Sequence, residues 1–164
     1  MTAATPPPDA TAGSALELDA YLPYRLSVAS NAVSGLIARA YEDRFGLTIP
    51  QWRLICVLAE DGGMTQAAIV GRTGMDKVMV SRAAQGLSRR RLVERTDHQA
   101  DGRSHLLALS GEGLRLYGEI APLALAYEAA LISGLAPSEV ALLKRLLLRL
   151  QVAANALAGE PPPP

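Results

Sequence analysis

Within 45 residues, from 65 to 109, the sequence holds two helix starts, a glycine stop and two strand-like runs, and this spacing restricts the fold more than any other feature. Thr65 stands where its side chain can cap a first short helix, which turns Ala68, Ile69 and Val70 inward and stops near Gly74. After a tight turn at 72–75, Asp76 caps a second helix, and its carboxylate suits the positive end of the helix dipole. In that helix Val80, Ala84 and Leu87 fall at i, i+4 and i+7 and predict one buried edge. Lys77, Val78, Ser81, Arg82, Gln85 and Arg89 lie on or near the opposite side. Runs 92–96 and 104–109 have strand length, and the polar stretch 97–103 joins them as a hairpin loop.

The flanking sequence is helical. From Pro23 to Gly46, the residues Leu26, Ala29, Val33, Leu36 or Ile37, and Ala40 recur at steps of three and four, predicting one long helix. Thr48 and Gln51 have the spacing of a reciprocal cap for a helix reaching about residue 59. Ser110 caps a helix running to about residue 131, with a bend expected at Pro122. Pro137, Ser138 and Glu139 open the last helix, whose stripe is Val140, Leu143, Leu147, Leu150, Ala154 and Leu157. That stripe is too apolar for a lone surface helix, so an interface between two copies is its natural reading. Residues 1–17 and 159–164 are low in complexity and hold seven of the eleven prolines; both are expected to be disordered tails. The expected fold is mainly α with a small β-hairpin wing, with long terminal dimerisation helices around a helix-turn-helix.

Composition removes several alternatives. The chain is 49% hydrophobic with only seven aromatic residues, so its core is built mostly from Ala, Leu and Val. Cys56 is the single cysteine; it cannot form an internal bridge, and it fits a reducing cytoplasm. No run approaches the ~20 apolar residues of a membrane helix, and no basic segment leads an apolar one at the N-terminus. His98 and His105 sit seven apart with no cysteine nearby, so no metal site is expected. No G-x-S-x-G, phosphate-cradling glycine loop or metal spacing suggests an enzyme, and no cofactor is expected.

Charge is distributed unevenly. The net charge is zero, yet residues 71–105 hold eight Lys or Arg against four acids. A short helix, a turn and a basic second helix can enter a DNA major groove, which admits one α-helix. Lys77, Arg82 and Arg89 are suited to phosphates or guanine edges, while Ser81 and Gln85 are short enough to discriminate bases. At least one of Arg89, Arg90 and Arg91 is expected on phosphate. Arg103, at the hairpin tip, is long and planar enough for the minor groove, with Asp101 holding it or a recognition-helix arginine.

With these residues in place the sequence resembles the MarR family of transcriptional regulators. The likeness is carried by TIPQWRLICVL (48–58), MTQAAIVGRTGMDKVMVSRAAQGLSRRRLVERT (64–96) and a wing motif on Asp101, Arg103, Leu109 and Ser110. In element order it spans 18–158, with 18–47 and 110–158 as dimerisation helices and 48–109 as the DNA-binding lobe. The resemblance implies a homodimer, a pseudo-palindromic operator, and repression relieved by a small ligand, commonly a phenolic acid. It also places Thr65, Gln66, Val78 and His105 on the DNA face. Some relatives respond to thiol oxidation, which makes Cys56 an alternative sensor; its position on the apolar side of its helix reads first as core packing. An effector-independent DNA binder is a further alternative.

Three departures from the family pattern stand out. The wing is one residue longer than usual, Arg91 occupies the place of a glycine common after the recognition helix, and Ala136 replaces a Ser or Thr cap. The last should weaken a helix end by ~1 kcal/mol. Within the family, LPYRLSVASNAVS (22–34) with MDKVMVSRA (75–83) is similar to regulators of hydroxycinnamate and other lignin-type aromatic catabolism. Those bind an aromatic acid or its coenzyme A thioester. That likeness implies an effector pocket with Tyr24, Arg25, Ser27, Val28 and Asn31 on one side and Trp52, Arg53 and Cys56 on the other. Arg25 or Arg53 would pair the acid group, while Tyr24 and Trp52 would stack on the ring.

Overall fold

The computed structural model describes residues 16–97 and 105–158. Residues 1–15 and 159–164 of the expected tails, and His98, Asp101 and Arg103 of the expected hairpin loop, lie outside the described residues; Leu16 and Glu17 are exposed, and the Glu17 carbonyl accepts from the amides of Ala20 and Tyr21. The chain divides into two compact units, Met1–Leu36 and Ile37–Pro164. In the first unit the described structure is mostly helix α1, Leu22–Ala38. The expected stripe on this helix is not buried within the chain: Leu26 and Leu36 are half-buried, and Ala29 and Val33 are exposed. Ala38, at the end of α1 and within the second unit, is the buried residue of that helix.

The second unit corrects the long first helix. It ends at Ala38, and a separate short helix α2 (Glu42–Phe45) follows. The break occurs because Ala40 and Tyr41 turn into the core, 4% and 1% exposed, through tight bonds from their amides to the carbonyls of Ile37 and Ala38. Gly46 at φ 60° then closes α2 in the left-handed region. Helix α3 (Ile49–Asp61) carries the expected reciprocal cap: Thr48 N donates to Gln51 Oε1 at 3.0 Å and Gln51 N to Thr48 Oγ1 at 3.4 Å.

Strand β1 (Met64–Thr65) leads into α4 (Gln66–Thr73) and α5 (Lys77–Arg89); β2 (Val93–Asp97) and β3 (His105–Leu109) form the hairpin. β1 was not expected. It pairs antiparallel with β3, Met64 against Leu107 and Thr65 against Leu106, giving the sheet order β1-β3-β2. Two residues are too few to show a period-2 pattern in sequence, so only the pairing reveals them. Helices α6 (Gly111–Ile132) and α7 (Pro137–Leu157) complete the chain; α6 runs as one helix with Pro122 inside it.

Leu54 and Ile55 of α3, Ile69 of α4, Val80, Ala84 and Leu87 of α5, Leu107 of β3 and Ile120 of α6 are at most 1% exposed and form the core on which α5 rests. The buried edge expected on α5 is therefore present. Ala68, expected inward on α4, is exposed, because the buried edge of this short helix is centred on Ile69, with Val70 half-buried beside it. The last helix is the opposite case, since no α7 residue is buried within the chain.

Candidate nucleic-acid interface

Helix α5 is fixed by a cap at its start, by the turn from α4 and by α3 packed across it. Asp76 accepts from Met79 N at 2.7 Å, so the first turn of α5 is capped by a carboxylate. Gly74 at φ 68° makes the turn from α4, Thr73 Oγ1 donates to Ile69 O at 2.7 Å, and Met75 is 4% exposed. Across the helix, Gly86 lets α3 approach: a Cβ at this position would collide with the Gln51 side-chain amide. What remains open is the face with Lys77, Val78, Arg82, Gln85 and Arg89, all exposed, and Ser81, half-buried. The structure thus brings these six expected residues onto one outward surface of a fixed helix.

The other assigned residues converge beside the sheet. Thr65 and Gln66 at the start of α4 line a cavity of about 280 Å³ with Ala67, Arg95, His105 and Leu107. Arg95 was not among the expected site residues. Its position in β2, directly opposite Leu107 of β3, becomes meaningful only once the strand register is known. Along α5, a second groove of about 360 Å³ is bordered by Thr48, Pro50, Gln51, Asp76, Val78, Met79, Arg82 and Ala83.

Two arginines counted in the basic segment are engaged elsewhere. Arg72 Nε donates to Asp61 Oδ2 at 2.9 Å and its Nη2 to Glu60 Oε2 at 3.1 Å, and the Asp61 hydrogen bond holds its pKa above the ordinary arginine value. Arg90 donates to the carbonyls of Phe45 and Gly46 at 2.7 and 3.1 Å, tying the end of α5 to the end of α2. Of the three consecutive arginines, the middle one is thus structural. Among the described residues, no ion pair engages Lys77, Arg82 or Arg89.

The expected effector residues are distributed as follows. Tyr24, Arg25, Ser27, Val28 and Asn31 are all exposed on α1, with Arg25 3.8 Å from Asp19. On α3, Arg53 is exposed, whereas Trp52 is 7% exposed and stacks on Tyr41 and Tyr117 at ring-centroid distances of 5.3 and 5.9 Å. Cys56 is half-buried, packed against the core, and burial pushes its thiol up to about 12. A thiol held that far above neutral pH is a poor nucleophile towards oxidants. Among the described residues, no cluster of His, Cys, Asp or Glu is arranged to hold a metal, and no single helix is long and apolar enough to cross a membrane.

A capped short helix, a glycine turn, an outward-facing basic helix and a three-stranded antiparallel sheet define a winged helix-turn-helix protein. Residues 45–104 match the MarR family model. A MarR/EmrR family transcriptional regulator from Acinetobacter has the same architecture at TM-score 0.79 and 25% identity, over 86% of this chain and 99% of that one. The PcaV transcriptional regulator of Streptomyces coelicolor, solved in complex with its natural ligand, aligns at TM-score 0.75 and 25% identity, again over 86% and 99%. A Pseudomonas aeruginosa protein is 29% identical over 82% of this chain and 99% of its own, at TM-score 0.70. No curated protein sequence matches the chain. The family match spans the helix-turn-helix lobe, and over most of its length the chain is similar in architecture to MarR-type transcriptional regulators.

Proposed function

We propose that the protein is a homodimeric repressor that binds a pseudo-palindromic operator and is released by a small aromatic acid or its coenzyme A thioester. The observation that carries the DNA assignment is the outward face of α5, where Lys77, Arg82 and Arg89 stand exposed beside Ser81 and Gln85. The cations neutralise phosphates, which supplies affinity, and the short polar side chains read base edges, which supplies selectivity. Thr65, Gln66 and His105, with Arg95 beside them, extend the contact toward the sheet, and Arg103, between β2 and β3 in sequence, is the proposed minor-groove contact.

Support for the dimer comes from α7. Its Leu142, Leu143, Leu146, Leu147, Leu148, Leu150, Leu157 and Val152 are 39–63% exposed. Fully covering such a side chain contributes about 1.5–3 kcal/mol, so a bare helix of this composition favours association strongly. A two-fold dimer sets its recognition helices roughly 34 Å apart, one turn of duplex DNA. An effector acts by favouring another spacing, with leverage equal to its differential affinity for the two arrangements. Support for an effector comes from the exposed Tyr24 and Val28 of α1, beside Arg25, Ser27 and Asn31, and from the ligand-bound regulator of Streptomyces coelicolor. Trp52 and Cys56 of α3, expected beside the effector, belong to the core instead and are not part of the proposed effector site.

The reading is tested by selecting a DNA site with the purified chain and titrating it at several salt concentrations with wild type, Arg82→Ala and Arg89→Ala. Each variant is expected to bind more weakly. A variant losing two phosphate contacts per dimer should lower the salt slope by about 2. Unchanged isotherms for both variants would remove the DNA face. Addition of benzoic and cinnamic acids and their coenzyme A thioesters to the wild-type complex tests release.

A further inference from the structure

We infer that Val78 is a base-reading residue whose isopropyl group packs on the 5-methyl group of one thymine in each half of the DNA site. The inference rests on the DNA-binding reading above and adds to it the base that α5 reads through an apolar contact. Val78 is the second residue of α5 and is 59% exposed, whereas Val80, two positions on, is fully buried in the core. The fold does not account for Val78. Its side chain feeds no packed layer, and a β-branched residue loses rotamer freedom in a helix.

Its surroundings specify the occupant. Lys77, Arg82 and Arg89 are exposed on the same helix, so the surface suits a polyanion rather than an apolar protein partner. Within that polyanion, the N-terminal residues of a recognition helix are the ones that reach base edges. Val78 shares a face with Ser81, Arg82 and Gln85, three, four and seven residues on, and so enters the groove with them. The cavity it borders also holds the Asp76 carboxylate, which repels phosphate and directs this end of α5 to the bases. In the major groove the one apolar group a base pair offers is the thymine 5-methyl. A buried methyl of this kind contributes about fourfold in affinity, or ~0.8 kcal/mol.

The test uses the full-length chain and its selected DNA site. Each thymine of the half-site is replaced in turn, symmetrically in both halves, by deoxyuridine, which lacks only the methyl. Wild type should lose about fourfold per half-site at one thymine position. Val78→Ala should lose less than twofold at that same position, and Val78→Ile should keep the wild-type penalty. If a specific site exists but no thymine shows this Val78-dependent loss, the inference is overturned and the DNA-binding reading stands. If wild type selects no specific site at all, the DNA-binding reading falls and the inference with it.

Discussion

Arg91 is the non-glycine residue with positive φ among the described residues, at 59°. The left-handed region costs an L-residue roughly 1–2 kcal/mol. It persists here because its surroundings hold it: Ser110 Oγ donates to the Arg91 carbonyl at 2.6 Å, Ser110 N donates to Leu92 O at 3.1 Å, and Leu92 is buried. The same Ser110 oxygen accepts from Gly113 N at 3.0 Å, so one hydroxyl both caps α6 and fixes the strained carbonyl. Arg91→Gly should therefore stabilise the protein by about 1 kcal/mol, less the backbone entropy of a glycine, read as a higher urea midpoint at unchanged slope. A lower midpoint would mean that the arginine side chain is itself needed. Cys56 gives a second prediction at this scale. With its thiol held near 12, alkylation by iodoacetamide should stay slow at pH 8 and rise to the rate of an unfolded thiol on adding denaturant. Rapid native-state alkylation at pH 8 would restore the oxidation-sensing alternative.

Among the elements, those whose signals are local were legible in advance. The caps at Thr48, Thr65, Asp76 and Ser110 all make the expected side-chain hydrogen bonds, because a cap is settled within three residues. Ala136 fits the same logic from the other side. With no side-chain acceptor, it leaves only its own amide bonded to Glu139 Oε2, at 2.7 Å, so α7 starts with half a reciprocal cap. What escaped was decided across the chain. The division of the first helix, the strand β1, the Arg90 tie to α2 and the use of Arg72 by Asp61 each depend on a partner at least eleven residues away or on burial in the shared core. Gly113 belongs to this group too. A Cβ there would collide with the carbonyl of Leu92, so the residue before β2 and the first turn of α6 meet at backbone contact distance. Gly113→Ala should cost roughly 3 kcal/mol by forcing these elements apart, measured by thermal or urea unfolding. Wild-type stability in that variant would show that the junction is looser than this contact implies.

For the whole molecule, alkaline pH is a direct probe of the core. Burial raises Tyr41 from 10.0 to about 12 and Cys56 from 9.0 to about 12. Both groups are neutral when folded and bind their protons more tightly there than in the unfolded chain. Their contribution is complete below about pH 9 and is lost as pH climbs through 9 to 12. Melting temperature should accordingly fall across that window, and Tyr41→Phe should reduce the fall; an identical profile in the variant would show that Tyr41 ionises outside the core. The alternation of caps, stripes and turns by itself determined the number and order of the main helices, the outward polar face of α5 and the winged helix class. These follow from contacts a few residues apart, where backbone geometry and hydrophobic period act directly. Only the tertiary structure decided which basic side chains remain available and where Trp52 is housed. Only there does Arg95 meet His105 and the start of α4, because these outcomes depend on partners that chain folding, not sequence proximity, brings together.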